Sequence, residues 1–134
     1  MIPKFRVWLP DSEVRKMLRV KALVFEDGKT RCVCGYSYDF YLEDEDAILM
    51  QSTGLLDKDS KEIFDGDILT IETKDGLVKV IVFWDNEHAL FMIESKTYNE
   101  KVALAELIED GSPITIIGNI HEKDRKSTRL NSSH

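Results

Sequence analysis

Apolar and polar residues alternate along the first part of the chain with a period of two, which is typical of half-buried β-strands. Residues 4–8 (KFRVW) show this pattern, and residues 16–25 and 29–34 show it again. Asp27 and Gly28 separate the last two runs. An Asp-Gly pair between two such runs favours a tight hairpin turn, because glycine tolerates a positive φ. The pattern therefore predicts a strand followed by a β-hairpin.

The second half of the chain has the stronger strand signal. Residues 67–73 and 89–94 each predict a strand, and Asp75-Gly76 predicts a second hairpin turn. Residues 77–84 (LVKVIVFW) are almost continuously apolar, so we expect a central strand that is covered on both faces. Three consecutive strands of this kind resemble part of a small SH3-like barrel.

The end of the chain is less uniform. Residues 99–109 are ambiguous, because some of their apolar residues have helical spacing and Asn99 is a suitable cap for a short helix. Residues 113–120 predict the last strand, with Gly118 at a bulge or a close backbone approach.

These elements predict an all-β fold with little helix. We expect a small β-hairpin subdomain over residues 1–46 and an SH3-like, partly open barrel over residues 47–123. Residues 124–134 (DRKSTRLNSSH) are polar and aperiodic, and they resemble the translation of a sequencing adapter. We treat them as a non-native tail and leave them out of the fold prediction.

Charge narrows the range of partners. The formal net charge is −7, and because the tail contributes +2, the rest of the chain carries −9. Such a body repels phosphate backbones, and no basic stripe is visible, so we expect no nucleic-acid partner. No apolar run approaches the length of a membrane span, and the chain starts without a secretory apolar segment. We therefore expect no membrane partner and a cytoplasmic location.

No catalytic motif is recognisable. Phosphate loops, dinucleotide fingerprints, zinc-protease helices and serine elbows are all missing from the sequence. Cys32 and Cys34 are too closely spaced for the usual zinc pair, and we interpret them as small hydrophobic side chains. His88 follows a turn, where an exposed histidine is the simplest interpretation. We expect no enzyme activity, no cofactor and no metal, although abundant carboxylates leave a catalytic pair open.

Three blocks together carry a family resemblance. They are residues 4–8 with 16–18 (KFRVW and KML), residues 49–68 (LMQSTGLLDKDSKEIFDGDI) and residues 116–122 (IIGNIHE). Their order and spacing resemble the YopX family of phage and prophage proteins, and the long central block is the specific part. The resemblance implies an all-β architecture and a phage or prophage origin, in the cytoplasm of a bacterial host. It does not imply a particular activity.

The leading functional hypothesis is a phage accessory protein that acts by binding. It antagonises a host defence system, either by masking a host protein or by sequestering a small signal molecule. We also expect a homo-oligomer, because small β domains have strand edges that a second copy can cover. The alternatives are a metal-dependent hydrolase or nucleotide-modifying enzyme, and a nucleic-acid-associated regulatory protein, which the negative charge disfavours.

The candidate binding surface combines aromatic residues with the acidic run that follows them, because tyrosine often anchors protein contacts. For the polar residues of the central block, turn geometry is the favoured explanation and partner binding the alternative. The candidate binding residues are Tyr36, Tyr38, Glu43, Asp44, Glu45, Asp46, Gln51, Asp57 and Glu62.

Overall fold

The computed structural model describes residues 3–10, 16–35, 38–95 and 100–122, and these are mostly β-sheet. The described part of the chain contains twelve strands and one complete short helix, and residues 120–122 at its end are also helical. Their bounds are β1 (Phe5–Leu9), β2 (Lys16–Arg19), β3 (Ala22–Glu26), β4 (Lys29–Val33), β5 (Asp39–Tyr41), β6 (Ile48–Leu56), β7 (Glu62–Phe64), β8 (Asp67–Thr73), β9 (Gly76–Asp85), β10 (Leu90–Glu94), β11 (Lys101–Ala103), α1 (Leu104–Glu109) and β12 (Ile114–Asn119). The predicted all-β class is confirmed.

The chain divides into two compact units, Met1–Ser52 and Thr53–His134, so the division falls inside β6. The boundary predicted from the sequence lies slightly earlier, after residue 46. In the first unit, β1 pairs antiparallel with β2 on one side and with the first half of β6 on the other. Val7, Trp8 and Leu9 of this central strand are buried.

The first unit also contains a three-stranded antiparallel sheet in the order β3-β4-β5. The β3–β4 turn has φ of 21° at Asp27 and 81° at Gly28, as a tight hairpin turn requires. On one face, Glu26 accepts hydrogen bonds from the Tyr41 hydroxyl at 2.8 Å and from Arg31 Nε at 3.1 Å. The Tyr41 bond, and secondly Arg31, hold the pKa of Glu26 below its ordinary value.

The second unit is built around a curled five-stranded antiparallel sheet in the order β11-β10-β9-β8-β12. This sheet is the partly open barrel that the sequence predicts. β7 is the neighbour of β6, and the Thr53 hydroxyl donates to the Ile63 carbonyl oxygen at 2.7 Å. Helix α1 packs against β10 and β11.

The core of the second unit is a cluster of aliphatic side chains from this sheet, β7 and helix α1. Leu69 of β8 lies opposite Val80 of β9, and both are buried. Helix α1 contributes Leu104, which is fully buried. The buried cluster consists of Ile63, Leu69, Ile71, Val80, Val82, Ile93, Leu104 and Ile114.

The prediction that residues 77–84 are covered on both faces is wrong. β9 is central in the sheet, but only Val80 and Val82 are buried along it. On the opposite face Leu77 is 68% exposed and Lys79 is exposed as well, while Ile81 and Phe83 are half-buried. The physical reason is that an antiparallel sheet can leave one face open to solvent. A continuous apolar run indicates burial on both faces in a parallel sheet, but not in an antiparallel one.

The chain after β10 resolves the ambiguous segment. Residues 101–103 form β11, and α1 begins at Leu104 with no side-chain hydrogen bond at its N-cap position, Ala103. The suggested cap, Asn99, lies outside the described residues, as does the tail at 124–134. The register of β12 against β8 shifts between Ile116 and Gly118, so the predicted bulge is confirmed.

Candidate functional site

The second unit has a pocket at one end of its curled sheet, between α1 and the β8–β9 hairpin. Its volume is about 310 Å³. We call it the end pocket. A cavity of this size is at the lower end of the range for small-molecule sites, which often lie in the mouths of β-barrels.

Apolar side chains from four strands and the helix form the walls of the end pocket. Two cross-strand pairs contribute, because Ile71 lies opposite Val78 and Ile93 lies opposite Val102. Leu107 of α1 completes the apolar lining. Ile71 and Ile93 belong to the buried core, so the walls of the pocket are an extension of that core.

Polar residues also line the end pocket, and they come from three separate turns or strand ends. Thr73, Asp75 and Glu100 are exposed and form its rim, whereas Ser95 is buried. The Thr73 hydroxyl donates to the Gly76 carbonyl oxygen at 2.7 Å and accepts from the Asp75 amide at 3.2 Å. These bonds close the hairpin and place the exposed Asp75 at its tip. In the described lining, the charged groups are therefore two carboxylates, Asp75 and Glu100.

The predicted acidic run lies after β5, and part of it is used in local contacts. Glu43 Oε1 accepts a hydrogen bond from the Thr30 amide at 2.9 Å, and this bond is the main reason why the pKa of Glu43 is lowered. Asp44 forms an ion pair with Lys29 at 3.0 Å. Glu45 and Asp46 are exposed, and Asp46 has a φ of 50°. The run thus stabilises a turn, and binding by it stays a prediction.

The predicted aromatic contacts are described only in part. Tyr36 lies outside the described residues. Tyr38 is 46% exposed, and its ring meets that of Phe40 edge-on at 5.8 Å. Lys16 Nζ lies 5.9 Å from the Tyr38 ring centre. Tyr38 is therefore accessible, and its role in binding is untested.

The three candidates from the central block are less exposed. Gln51 pairs with Phe5 in the first unit, and Glu62 begins β7 in the second; both are half-buried. Asp57 is buried, at 6% exposure. Its Oδ1 accepts from the amides of Asp59 and Lys61, both at 2.9 Å, and its Oδ2 accepts from the Ile116 amide at 3.1 Å.

These contacts give Asp57 a clear folding role. Burial alone raises the pKa of a carboxyl group, but the three backbone donors outweigh it and the pKa of Asp57 is lowered. The ionised side chain ties the β6–β7 loop to β12. Its two oxygens are occupied by backbone groups of its own unit, as the turn-geometry interpretation expects.

The two cysteines lie close together in the first unit. Their Sγ atoms are 3.7 Å apart, and Cys32 is fully buried. Burial raises the pKa of Cys32 to about 12 and also raises that of Cys34. Since the thiolate is the reactive form, neither thiol is prepared for nucleophilic chemistry at neutral pH.

One group in the described part of the chain has the donor types of a metal site. Asp85, Glu87 and His88 in the β9–β10 turn bring their ligand atoms within 4.8 Å of one another. His88 Nδ1 lies 2.7 Å from Asp85 Oδ2, and this contact lowers the pKa of Asp85. Glu87 and His88 are exposed, so the trio is a surface turn rather than an enclosed centre.

The end pocket was not predicted from the sequence. In the sequence, Asp75 is recognisable only as a residue of a hairpin turn, and no motif includes Glu100 or Ser95. The pairing of distant strands brings these residues together, so no local spacing could have revealed them.

Comparison with known proteins identifies the class. The family model described as YopX protein matches residues 4–126. The chain therefore belongs to the YopX family, as its three sequence blocks indicate. No curated protein matches the sequence. Among the described helices, none is long and apolar enough to cross a membrane.

Two crystal structures have the same fold. Protein yopX from Bacillus subtilis is 17% identical with a TM-score of 0.63, and the match covers 89% of this chain and 93% of that one. Protein EF1440 from Enterococcus faecalis is 22% identical with a TM-score of 0.58, and the match covers 92% of this chain and 96% of that one. At these identities the likeness concerns the fold alone.

Proposed function

We propose that this protein is a phage or prophage accessory protein that acts by binding in the cytoplasm of the bacterial host cell. It antagonises a host defence system, either by masking a host protein or by sequestering a small signal molecule. Membership in the YopX family supports the phage setting. The end pocket is the observation that supports binding, since it offers an apolar interior with a polar rim.

The lining of the end pocket favours binding over catalysis. General acid–base and nucleophilic catalysis use a positioned histidine, cysteine, lysine, carboxylate or activated serine. The described lining offers one buried serine, Ser95, and two exposed carboxylates, Asp75 and Glu100, but no histidine, lysine or cysteine. Because the two carboxylates are open to water and have no such partner in the described lining, the metal-dependent hydrolase is the weaker hypothesis. Turnover of a nucleotide or phosphoester that Asp75→Asn or Glu100→Gln abolishes would support it instead.

Filling the end pocket is expected to abolish binding. The variant Leu107→Trp places a larger side chain on the pocket wall, while Ala105→Trp, on the same helix, changes an exposed residue outside the pocket. Each protein is mixed with a deproteinised bacterial extract and analysed by native mass spectrometry. We expect a discrete mass adduct on the wild type and on Ala105→Trp, and none on Leu107→Trp.

The same two variants test whether the protein masks a host protein. Each is used to recover a partner from a bacterial lysate, and the recovery is compared with that by the wild type. A ligand or partner that Leu107→Trp retains, with its circular dichroism spectrum unchanged, would show that the end pocket is not the binding site. If the wild type retains neither ligand nor partner, the binding function itself is wrong.

We also propose that the protein forms a homo-oligomer. The five-stranded sheet ends in β11 and β12, and strand edges are commonly covered by a second chain. The outer edge of β12 is already bonded to Asp57 and Lys58, which leaves β11 as the terminal strand for a second chain to cover. Trp84 is 43% exposed and Leu90 is 37% exposed, which adds apolar surface for an interface. Light scattering in dilute solution should give a multiple of 15.4 kDa, and a monomer mass would refute the oligomer.

A further inference from the structure

The end pocket limits what it can hold by size and by polarity. Its volume of about 310 Å³ suits one small molecule. Its walls are formed by aliphatic side chains, five in the described lining, so the part of a ligand that enters must be apolar to gain from burial.

Charge at the rim limits the rest of the ligand. Asp75 stands at the tip of the β8–β9 hairpin and Glu100 stands just before β11. The described lining contains no cationic side chain that would balance these two carboxylates. Lys74 and Lys101 are the sequence neighbours of these two carboxylates, and neither belongs to the lining. Lys101 Nζ lies 5.8 Å from the centre of the Phe83 ring, and Lys58 forms an ion pair with Glu72 at 3.6 Å.

The second unit as a whole is also negatively charged. In residues 53–122, acidic residues outnumber basic ones by more than two to one. A surface with this balance attracts cations and repels phosphates and carboxylates over about a Debye length. A nucleotide or another anionic signal would therefore meet repulsion at the rim.

We infer that the ligand of the end pocket is a small organic cation, with an apolar body in the pocket and an ammonium or guanidinium group between Asp75 and Glu100. This inference rests on the proposed binding function and narrows it. A sequestered signal would belong to the class of hydrophobic amines rather than to the nucleotides.

Three probes with the same indole body test the inference. Tryptamine carries an ammonium group, tryptophol a hydroxyl group and indole-3-propionate a carboxylate at the end of a short chain. Each is titrated into the full chain and followed by ligand-observed NMR and calorimetry. Both rim charges are exposed and therefore screened by solvent, so we expect tryptamine to bind only about 3- to 20-fold more tightly than tryptophol. Indole-3-propionate should bind most weakly.

Matched variants assign the preference to the rim. Asp75→Asn with Glu100→Gln should bring the tryptamine-to-tryptophol ratio to about 1, since the attraction is removed. Glu109→Gln with Asp110→Asn removes the same charge from the end of α1, outside the pocket lining, and should keep the ratio. Leu107→Trp should bind none of the probes, and circular dichroism checks that every variant is folded.

The outcomes separate this inference from the proposed function. Equal binding of the three probes, or tightest binding of indole-3-propionate, would refute the cation preference while the pocket remains a binding site. No binding of any probe at millimolar concentration would also refute it. In that case the extract experiment with Leu107→Trp and Ala105→Trp still decides whether the pocket binds a ligand of another class.

Discussion

Replacing Asp57 with alanine is expected to lower the free energy of unfolding by about 2–4 kcal/mol, because hydrogen bonds to a charged acceptor are worth more than neutral ones. The substitution leaves three backbone amides without their partner, and one of them belongs to Ile116 in β12. Asp59→Ala is the matched control, since Asp59 is exposed in the same loop. Its effect should stay within about 0.5 kcal/mol. Urea unfolding at pH 7 measures both.

The contribution of Asp57 should depend on pH. Its pKa in the folded state is lowered from 3.8, so the unfolded chain takes up the proton first as the pH falls. The stabilisation is therefore complete above the pKa of the unfolded chain and is lost as the pH falls through the lower folded value. The difference between wild type and Asp57→Ala should shrink in acid below about pH 4. A difference that is equally large at pH 3 would show that the carboxylate charge is not involved.

The sequence could predict the fold class because its signals are local. Alternation with a period of two and an Asp-Gly turn act over a few residues, and the β3–β4 hairpin follows from them. The bulge at Gly118 was visible for the same reason, since a glycine late in a strand marks a break in pairing.

Burial was less predictable, because it depends on what lies above each face of a sheet. The run at 77–84 has enough apolar residues for two covered faces, but on the second face Leu77 is exposed and Ile81 and Phe83 are only half-buried. The division of the chain into two units was also hard to predict, since one strand of nine residues, β6, belongs to both units.

The binding site was the least predictable part. The consecutive charges of residues 43–46 indicated a binding surface. In the structure, Glu43 and Asp44 contact Thr30 and Lys29 of the neighbouring strand β4. The end pocket depends on Ile93 lying beside Val102 and on the position of α1. Those contacts are properties of the tertiary fold.

Leu69→Ala is expected to lower the free energy of unfolding by about 2–5 kcal/mol. Leu69 is fully buried and lies between Val80 of β9 and Ile116 of β12, so truncation leaves a cavity that neighbours on both sides cannot easily close. A domain with a total stability of about 5–15 kcal/mol would lose much of its margin.

Leu77→Ala makes the same chemical change on the neighbouring strand, where the side chain is 68% exposed. Its effect should be within about 0.5 kcal/mol, because little apolar surface returns to water. Chemical unfolding of both variants tests whether β9 is covered on one face only. A loss of 2 kcal/mol or more for Leu77→Ala would mean that the outer face of β9 is covered in solution, by a second copy of the chain or by another part of it. Because Leu69 does not line the end pocket, tryptamine should still bind Leu69→Ala under conditions where that variant is folded.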